Sequence, residues 1–113
     1  MEPIDRSSAE HYTWGAACDG WHFVKRAELS VIAERVPPGG KEVRHFHGVS
    51  RQFFFILSGC AVIEVDGQRV SLGEGQGIEV APGVPHQFLN ESEADVHFIV
   101  VSHPTTRGDR VEV

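Results

Sequence analysis

Residues 39–59 read GGKEVRHFHGVSRQFFFILSG and residues 75–90 read GQGIEVAPGVPHQFLN, and these two stretches are the most informative about the fold. Each combines short β-prone runs with glycine and proline turn signals. The first stretch contains His45-Phe46-His47. Because residues i and i+2 of a strand point to the same face, His45 and His47 project together. Such a pair is a nitrogen ligand set that Zn, Fe, Ni, Co and Mn accept.

Two further side chains are candidates for the same site. His86 lies beside a turn in the second stretch and can close the site from a neighbouring strand. Gln52 opens the run that follows His47 and offers an amide oxygen. The alternative interpretation is that these histidines are surface residues on extended segments.

The rest of the chain continues the pattern of short strands and tight turns. Asp66-Gly67 is a strong signal for a two-residue hairpin, and Pro37-Pro38-Gly39-Gly40 marks another turn. About nine short strands without a helical period predict an all-β sandwich or barrel. We expect one domain over residues 1–113, with residues 1–20 as an irregular N-terminal arm and residues 105–113 as a polar tail.

The spacing of the glycines and histidines resembles the two sequence motifs of the cupin superfamily. The first motif is matched by Gly39, then five residues to His45-x-His47, four to Gln52 and six to Gly59. The second is matched by Gly75, Ala81, Gly83, His86 and Asn90. There are two departures: Gln52 stands where the family usually has Glu, and Ala81 stands where it usually has Pro.

The resemblance implies a double-stranded β-helix, the jelly-roll barrel of cupins, around a divalent transition metal. The implied metal ligands are His45, His47, Gln52 and His86. The metal is one of Zn, Fe, Mn, Ni and Co. Because Gln52 is neutral, the site has one negative charge fewer than a site with Glu, and Gln cannot act as a general base.

We expect the pocket beside the metal to be small and aromatic. Phe54 lies two positions from Gln52, and Phe88 lies two positions from His86, so each pair shares a face. By analogy with small cupins, the last strand is expected to turn His97 towards the cavity. The pocket predicted in this way contains no carboxylate, which favours chemistry that the metal itself performs.

Other aromatic and basic residues are interpreted mainly as structural. Trp14 and Trp21 are expected to pack, and Arg51 to be solvated, although it can also meet an anionic substrate at the rim. Phe53 and Phe55 are expected to face outwards. They provide more apolar strand surface than one thin sandwich covers, which predicts a homodimer.

Charge and composition exclude several classes of function. Sixteen acidic residues against ten basic ones give a net charge of −6, the opposite of the basic footprint of a nucleic-acid binder. No apolar run is long enough to span a membrane, and negative charge disfavours binding to anionic membranes. The two cysteines cannot form a disulfide framework. No signal peptide is evident, so we expect a cytoplasmic protein.

Together with these features, the resemblance to cupins implies a metal-dependent protein that acts on or binds a small-molecule ligand. Isomerase-like and dioxygenase-like enzymes both fit, and no catalytic residue is assigned. The alternative is a non-catalytic module that binds a small molecule such as a sugar.

Overall fold

The structure is a computed structural model that describes residues 1–113. It contains no helix and eleven strands. The strands are β1 Glu10–Trp14, β2 Cys18–Lys25, β3 Ser30–Val36, β4 His45–His47, β5 Arg51–Ser58, β6 Ala61–Val65, β7 Gln68–Leu72, β8 Gly77–Val80, β9 His86–Leu89, β10 Val96–His103 and β11 Arg110–Glu112. The structure therefore has no helix that is long and apolar enough to cross a membrane.

The strands form two antiparallel sheets. The six-stranded sheet has the order β1-β2-β3-β10-β5-β8, and the five-stranded sheet has the order β11-β4-β9-β6-β7. Neighbours in each sheet are mostly distant in sequence, as in a jelly roll. The double-stranded β-helix predicted from the two motifs is confirmed.

The hydrophobic core lies between the two sheets. Phe54 and Ile56 of β5 face Ile63 of β6 and Phe88 of β9, and all four are 3% exposed or less. Their alternation with exposed neighbours follows the two-residue period of a strand. The ring of Phe88 stacks on that of Phe98 of β10, with centroids 4.1 Å apart.

Tight turns occur where the sequence indicates them. Asp66 and Gly67 both have positive φ, at 51° and 86°, which is the two-residue hairpin conformation between β6 and β7. Gly59 also has positive φ, and a Cβ atom there would lie 2.5 Å from the Asp95 carbonyl oxygen. Only glycine fits this close approach.

Both ends of the chain are more ordered than predicted. Residues 1–20 are not simply an irregular arm, because β1 pairs with β2 from Glu10↔His22 to Trp14↔Cys18. The tail of residues 105–113 contains β11, which pairs with β4. These two strands are short and mostly exposed. They are strands because they pair with a neighbouring strand, and not because apolar residues alternate along them.

Candidate metal centre

Three buried histidines meet where β4 pairs with β9. His45 is the register partner of His86, and His47 lies two residues along the same face of β4. One potential ligand atom from each residue lies within 4.8 Å of the others. The three side chains are 1–6% exposed. The structure therefore brings together the three histidines that the sequence assigns to a metal.

Each imidazole is held by a hydrogen bond from its Nδ1–H to a backbone carbonyl. His45 donates to Val43 at 2.7 Å, His47 to Asp109 at 3.0 Å and His86 to Val84 at 3.0 Å. Because a carbonyl only accepts, these bonds place the proton on Nδ1 and leave Nε2 with a free lone pair. The Nε2 atom of His86 is buried without a hydrogen-bond partner. Orientation of a ligand imidazole by its other nitrogen is typical of metal sites.

Burial keeps the three rings in the neutral form that binds metals. Desolvation lowers the pKa of His45 to about 4, against an opposing contribution from its bond to Val43. Desolvation also lowers the pKa of His47 and of His86. At neutral pH the group is therefore uncharged and can accept a cation without first losing protons.

Gln52 presents a fourth unused donor atom. Its side chain is 8% exposed, and its amide Nε2 donates to Ser102 Oγ at 3.1 Å. The amide oxygen Oε1 is buried and has no hydrogen-bond partner. Gln52 and two of the histidines, His45 and His47, line one cavity. The donor atoms present therefore fit a divalent transition metal.

The two motifs are joined through their backbones. The Gly83 N–H donates a hydrogen bond to the His47 carbonyl at 2.7 Å, and the Gly39 N–H donates one to the Asn90 carbonyl at 2.9 Å. The Asn90 side chain donates to the carbonyl of Val36. The motif glycines and Asn90 thus have structural roles that position the histidines.

Asp109 is a positioning residue that the sequence does not reveal. Its carboxylate accepts hydrogen bonds from the backbone N–H groups of Gly48, Val49 and Ser50, at 2.8–3.2 Å. These bonds, led by that from Ser50, lower the pKa of the carboxyl group. Since its own carbonyl binds His47, Asp109 orders both this ligand and the loop that follows it.

The cavity beside the histidines has acidic walls, which corrects the expectation of a pocket without carboxylates. Its volume is about 220 Å³. Besides the residues above, its walls include Tyr12, Trp14, Ile32, Glu34, Glu42 and Arg110. Burial, and then the charge of Glu42, raises the pKa of Glu34 to about 8. Burial raises the pKa of Glu42 to about 7, against a hydrogen bond from the Phe88 N–H.

Tyr12 reaches this cavity by lying across a glycine. Tyr12, Gly20 and Glu34 are aligned across β1, β2 and β3. A Cβ atom on Gly20 would lie 2.2 Å from the Tyr12 ring, so only glycine leaves room for it. Burial, and then Glu34, raises the pKa of the Tyr12 hydroxyl. The N-terminal strand therefore contributes directly to the cavity.

The two phenylalanines predicted to line the pocket lie in the hydrophobic core instead. Phe54 and Phe88 do point inwards, but they are 3% and 1% exposed and pack in the core. The edge of Phe54 contacts His86, with ring centroids 5.9 Å apart. The two phenylalanines are absent from the lining of the cavity beside His45.

The expectation for His97 is wrong. The buried face of β10 is the one with Phe98 and Val100, whereas His97 lies on the other face. There its Nδ1 is 3.2 Å from Arg6 Nη1. Both faces of this strand are partly apolar, so alternation alone does not identify the inward one.

Trp14, Trp21 and Arg51 are separated by the fold. Trp14 packs against the core and lines the cavity. The guanidinium carbon of Arg6 lies over the Trp21 ring, 5.4 Å from the centroid of that ring. Arg51 is exposed and forms an ion pair with Glu79 at 3.6 Å. Of the three, only Trp14 belongs to the site.

One known protein with a similar sequence matches most of this chain. An uncharacterized protein of Methanocaldococcus jannaschii is 25% identical over 92 residues, which are 81% of this chain and 74% of that protein.

Solved structures share the fold at lower identity. A sugar phosphate isomerase of the cupin superfamily from Silicibacter pomeroyi has a TM-score of 0.79 and 22% identity, with 92% of this chain and 76% of that chain covered. The polyketide cyclase RemF from Streptomyces resistomycificus has a TM-score of 0.81 and 18% identity, with 93% and 80% covered. At these identities the similarity establishes the fold.

The family assignment rests on a sequence profile. The profile described as "Cupin domain" matches residues 33–102, which is more than half of the chain and includes all three histidines and Gln52. The chain therefore belongs to the cupin family.

Proposed function

We propose that this cupin binds a divalent transition metal through His45, His47 and His86, with Gln52 as a weaker fourth ligand, and acts on a small organic molecule. The observation that supports this most directly is the convergence of three neutral imidazoles whose Nδ1–H groups are already bonded. The metal is one of Zn, Fe, Mn, Ni and Co, all of which accept nitrogen ligands. When bound, such an ion would supply Lewis acidity to a carbonyl or hydroxyl oxygen.

The acidic wall favours proton-transfer chemistry, as in an isomerase or epimerase. With its pKa raised to about 8, Glu34 retains a proton on its carboxyl group at pH 7. Glu42, with a pKa of about 7, is divided between its two forms. Two carboxyl groups whose pKa values are raised towards the working pH are suited to the roles of acid and base. The cavity of about 220 Å³ limits the reacting part of the substrate to a small group.

The metal part of the proposal is tested by elemental analysis of protein purified without a metal-affinity tag. We expect close to one equivalent of a divalent metal, and His47→Ala should remove most of it. Gln52→Glu should retain the metal, because a carboxylate replaces the amide oxygen. The matched control is His97→Ala, which removes a histidine on the outer face and should leave the metal content unchanged. Metal-free protein after incubation with all five metals would contradict the proposal.

The enzymatic part is tested separately, on metal-loaded protein. Exchange of a substrate carbon-bound proton with solvent deuterium, followed by NMR, detects isomerase chemistry on small hydroxy-carbonyl compounds. We expect Glu34→Gln to slow this exchange without changing the metal content. Oxygen consumption without exchange would instead indicate a dioxygenase. Tight binding with neither reaction would indicate the non-catalytic binding module.

A further inference from the structure

A second cleft, larger than the histidine cavity, adjoins it. Its volume is about 590 Å³. The side chains of Tyr12, Ile32 and Thr106 line both spaces, so the two have a common wall. A molecule in the cleft would therefore contact residues that also line the histidine cavity.

The charge of this cleft is opposite to that of the protein. Lys25, Arg26 and Arg107 line it, and no Asp or Glu is among its lining residues, although the chain has a net charge of −6. Lys25 forms an exposed ion pair with Glu10 at 2.9 Å. Arg26 and Arg107 take part in none of the seven ion pairs of the structure. Two guanidinium groups are thus available to an anion.

Hydrogen bonds hold the two arginine-bearing segments together. Arg26 lies in the turn between β2 and β3, where its N–H donates to the Leu29 carbonyl at 3.0 Å. Arg107 lies between β10 and β11, and the nearby Thr105 N–H donates to the Ala27 carbonyl at 2.9 Å. The backbones that carry the two arginines are therefore held beside each other, which lowers the entropic cost of binding a ligand between them.

A further polar group of the cleft has no protein partner. The Nδ1 atom of His22 is buried and makes no hydrogen bond, and the His22 ring packs on Tyr12 with centroids 5.0 Å apart. Burial, and then the nearby Lys25, lowers the pKa of His22.

We propose that the cleft is a phosphate subsite, which binds the phosphorylated end of a substrate whose oxygen-rich end enters the histidine cavity. A phosphate monoester has about 1.5 to 2 negative charges at pH 7 and three acceptor oxygens. A phosphate therefore matches the charge of three cationic side chains better than a carboxylate does. In addition, one guanidinium group can donate two parallel hydrogen bonds to two phosphate oxygens. The location of the substrate's other end rests on the proposed function; the phosphate subsite itself does not.

The proposal is tested by NMR titration of ¹⁵N-labelled protein with glycerol 3-phosphate. Glycerate and glycerol serve as the carboxylate and uncharged counterparts of the same size. We expect glycerol 3-phosphate to shift the backbone amides of Arg26, Thr106 and Arg107, with glycerate weaker and glycerol without effect. Arg26→Gln combined with Arg107→Gln should weaken binding about ten- to hundredfold, because two charge-assisted contacts are lost.

The control is Arg69→Gln, which removes another exposed arginine that is paired with Glu91 outside the cleft. It should leave the affinity unchanged, and an equal loss in this variant would overturn the proposal. So would unmoved cleft amides at 10 mM glycerol 3-phosphate, or equal binding of all three compounds. The titration is run on metal-free and metal-loaded protein. If metal binds but phosphate does not, only the subsite is refuted; if phosphate binds but no metal does, only the proposed function is refuted.

Discussion

Glu34 makes the stability of this protein depend on pH in a way that can be calculated. Burial, followed by the charge of Glu42, raises the pKa of Glu34 from an ordinary value of 4.5 to about 8. The folded protein therefore retains a proton that the unfolded chain releases above about pH 4.5. The stabilisation from this proton is complete below pH 4.5 and is lost as pH rises to about 8. At about 1.36 kcal/mol for each pH unit, the loss amounts to roughly 3–5 kcal/mol.

Glu34→Gln should remove this dependence, because an amide of nearly the same shape does not ionise. The free energy of unfolding of the variant should equal that of the wild type near pH 4.5. It should exceed the wild-type value by a growing amount up to about pH 8, and by roughly 3–5 kcal/mol above it. Urea unfolding of metal-free protein, followed by tryptophan fluorescence from pH 4.5 to 9, measures the difference. Titrating groups that do not interact with Glu34 are common to both proteins and cancel.

The matched control is Glu93→Gln at an exposed position, which should give a curve parallel to the wild type. Parallel curves for Glu34→Gln and wild type would refute the argument, since they would mean that Glu34 ionises inside the folded cavity as easily as in water. Glu42→Gln should show a smaller gain in the free energy of unfolding relative to wild type. This gain should be complete near pH 7, because the pKa of Glu42 is raised only to about 7.

Three further changes test other parts of the structure. Gly20→Ala should displace the Tyr12 ring and lower the free energy of unfolding, measured in urea, by about 1–3 kcal/mol. In a Tyr12→Ala background the same substitution should lower it much less. Additive effects of the two substitutions would show that residues 12 and 20 do not touch. Asp109→Asn should weaken metal binding about ten- to hundredfold in competition with a chelating dye, because the carbonyl that orients His47 moves with its loop; an unchanged affinity would mean that this loop is ordered without the carboxylate. We also expect a homodimer that uses the outer face of β5, where Phe53 is 41% exposed; sedimentation should give twice 12.5 kDa, and Phe53→Lys should give the monomer mass. A wild-type mass of 12.5 kDa would contradict this expectation.

Local rules were sufficient for the ligand-bearing strands. His45 and His47 share a face because side chains alternate along a strand, and this holds whatever the rest of the fold does. Asp66-Gly67 forms the predicted hairpin because few other pairs adopt positive φ at both positions. The glycine spacing, compared with the cupin motifs, added the relation between the two stretches. The class of fold and the three histidines could therefore be predicted.

Contacts between distant segments decided what the sequence left open. His47 is oriented by Asp109, 62 residues later, and the acidic wall depends on Glu34 of β3 and Glu42 of the segment before β4 facing one cavity. The inward face of β10 depends on which side packs against Phe88, so alternation could not exclude His97. Local geometry is enough to identify the side chains that can bind a metal, so they can be read from the sequence. Their protonation, their orientation and the chemistry around them depend on tertiary structure, because burial and long-range hydrogen bonds exist only after the chain has folded.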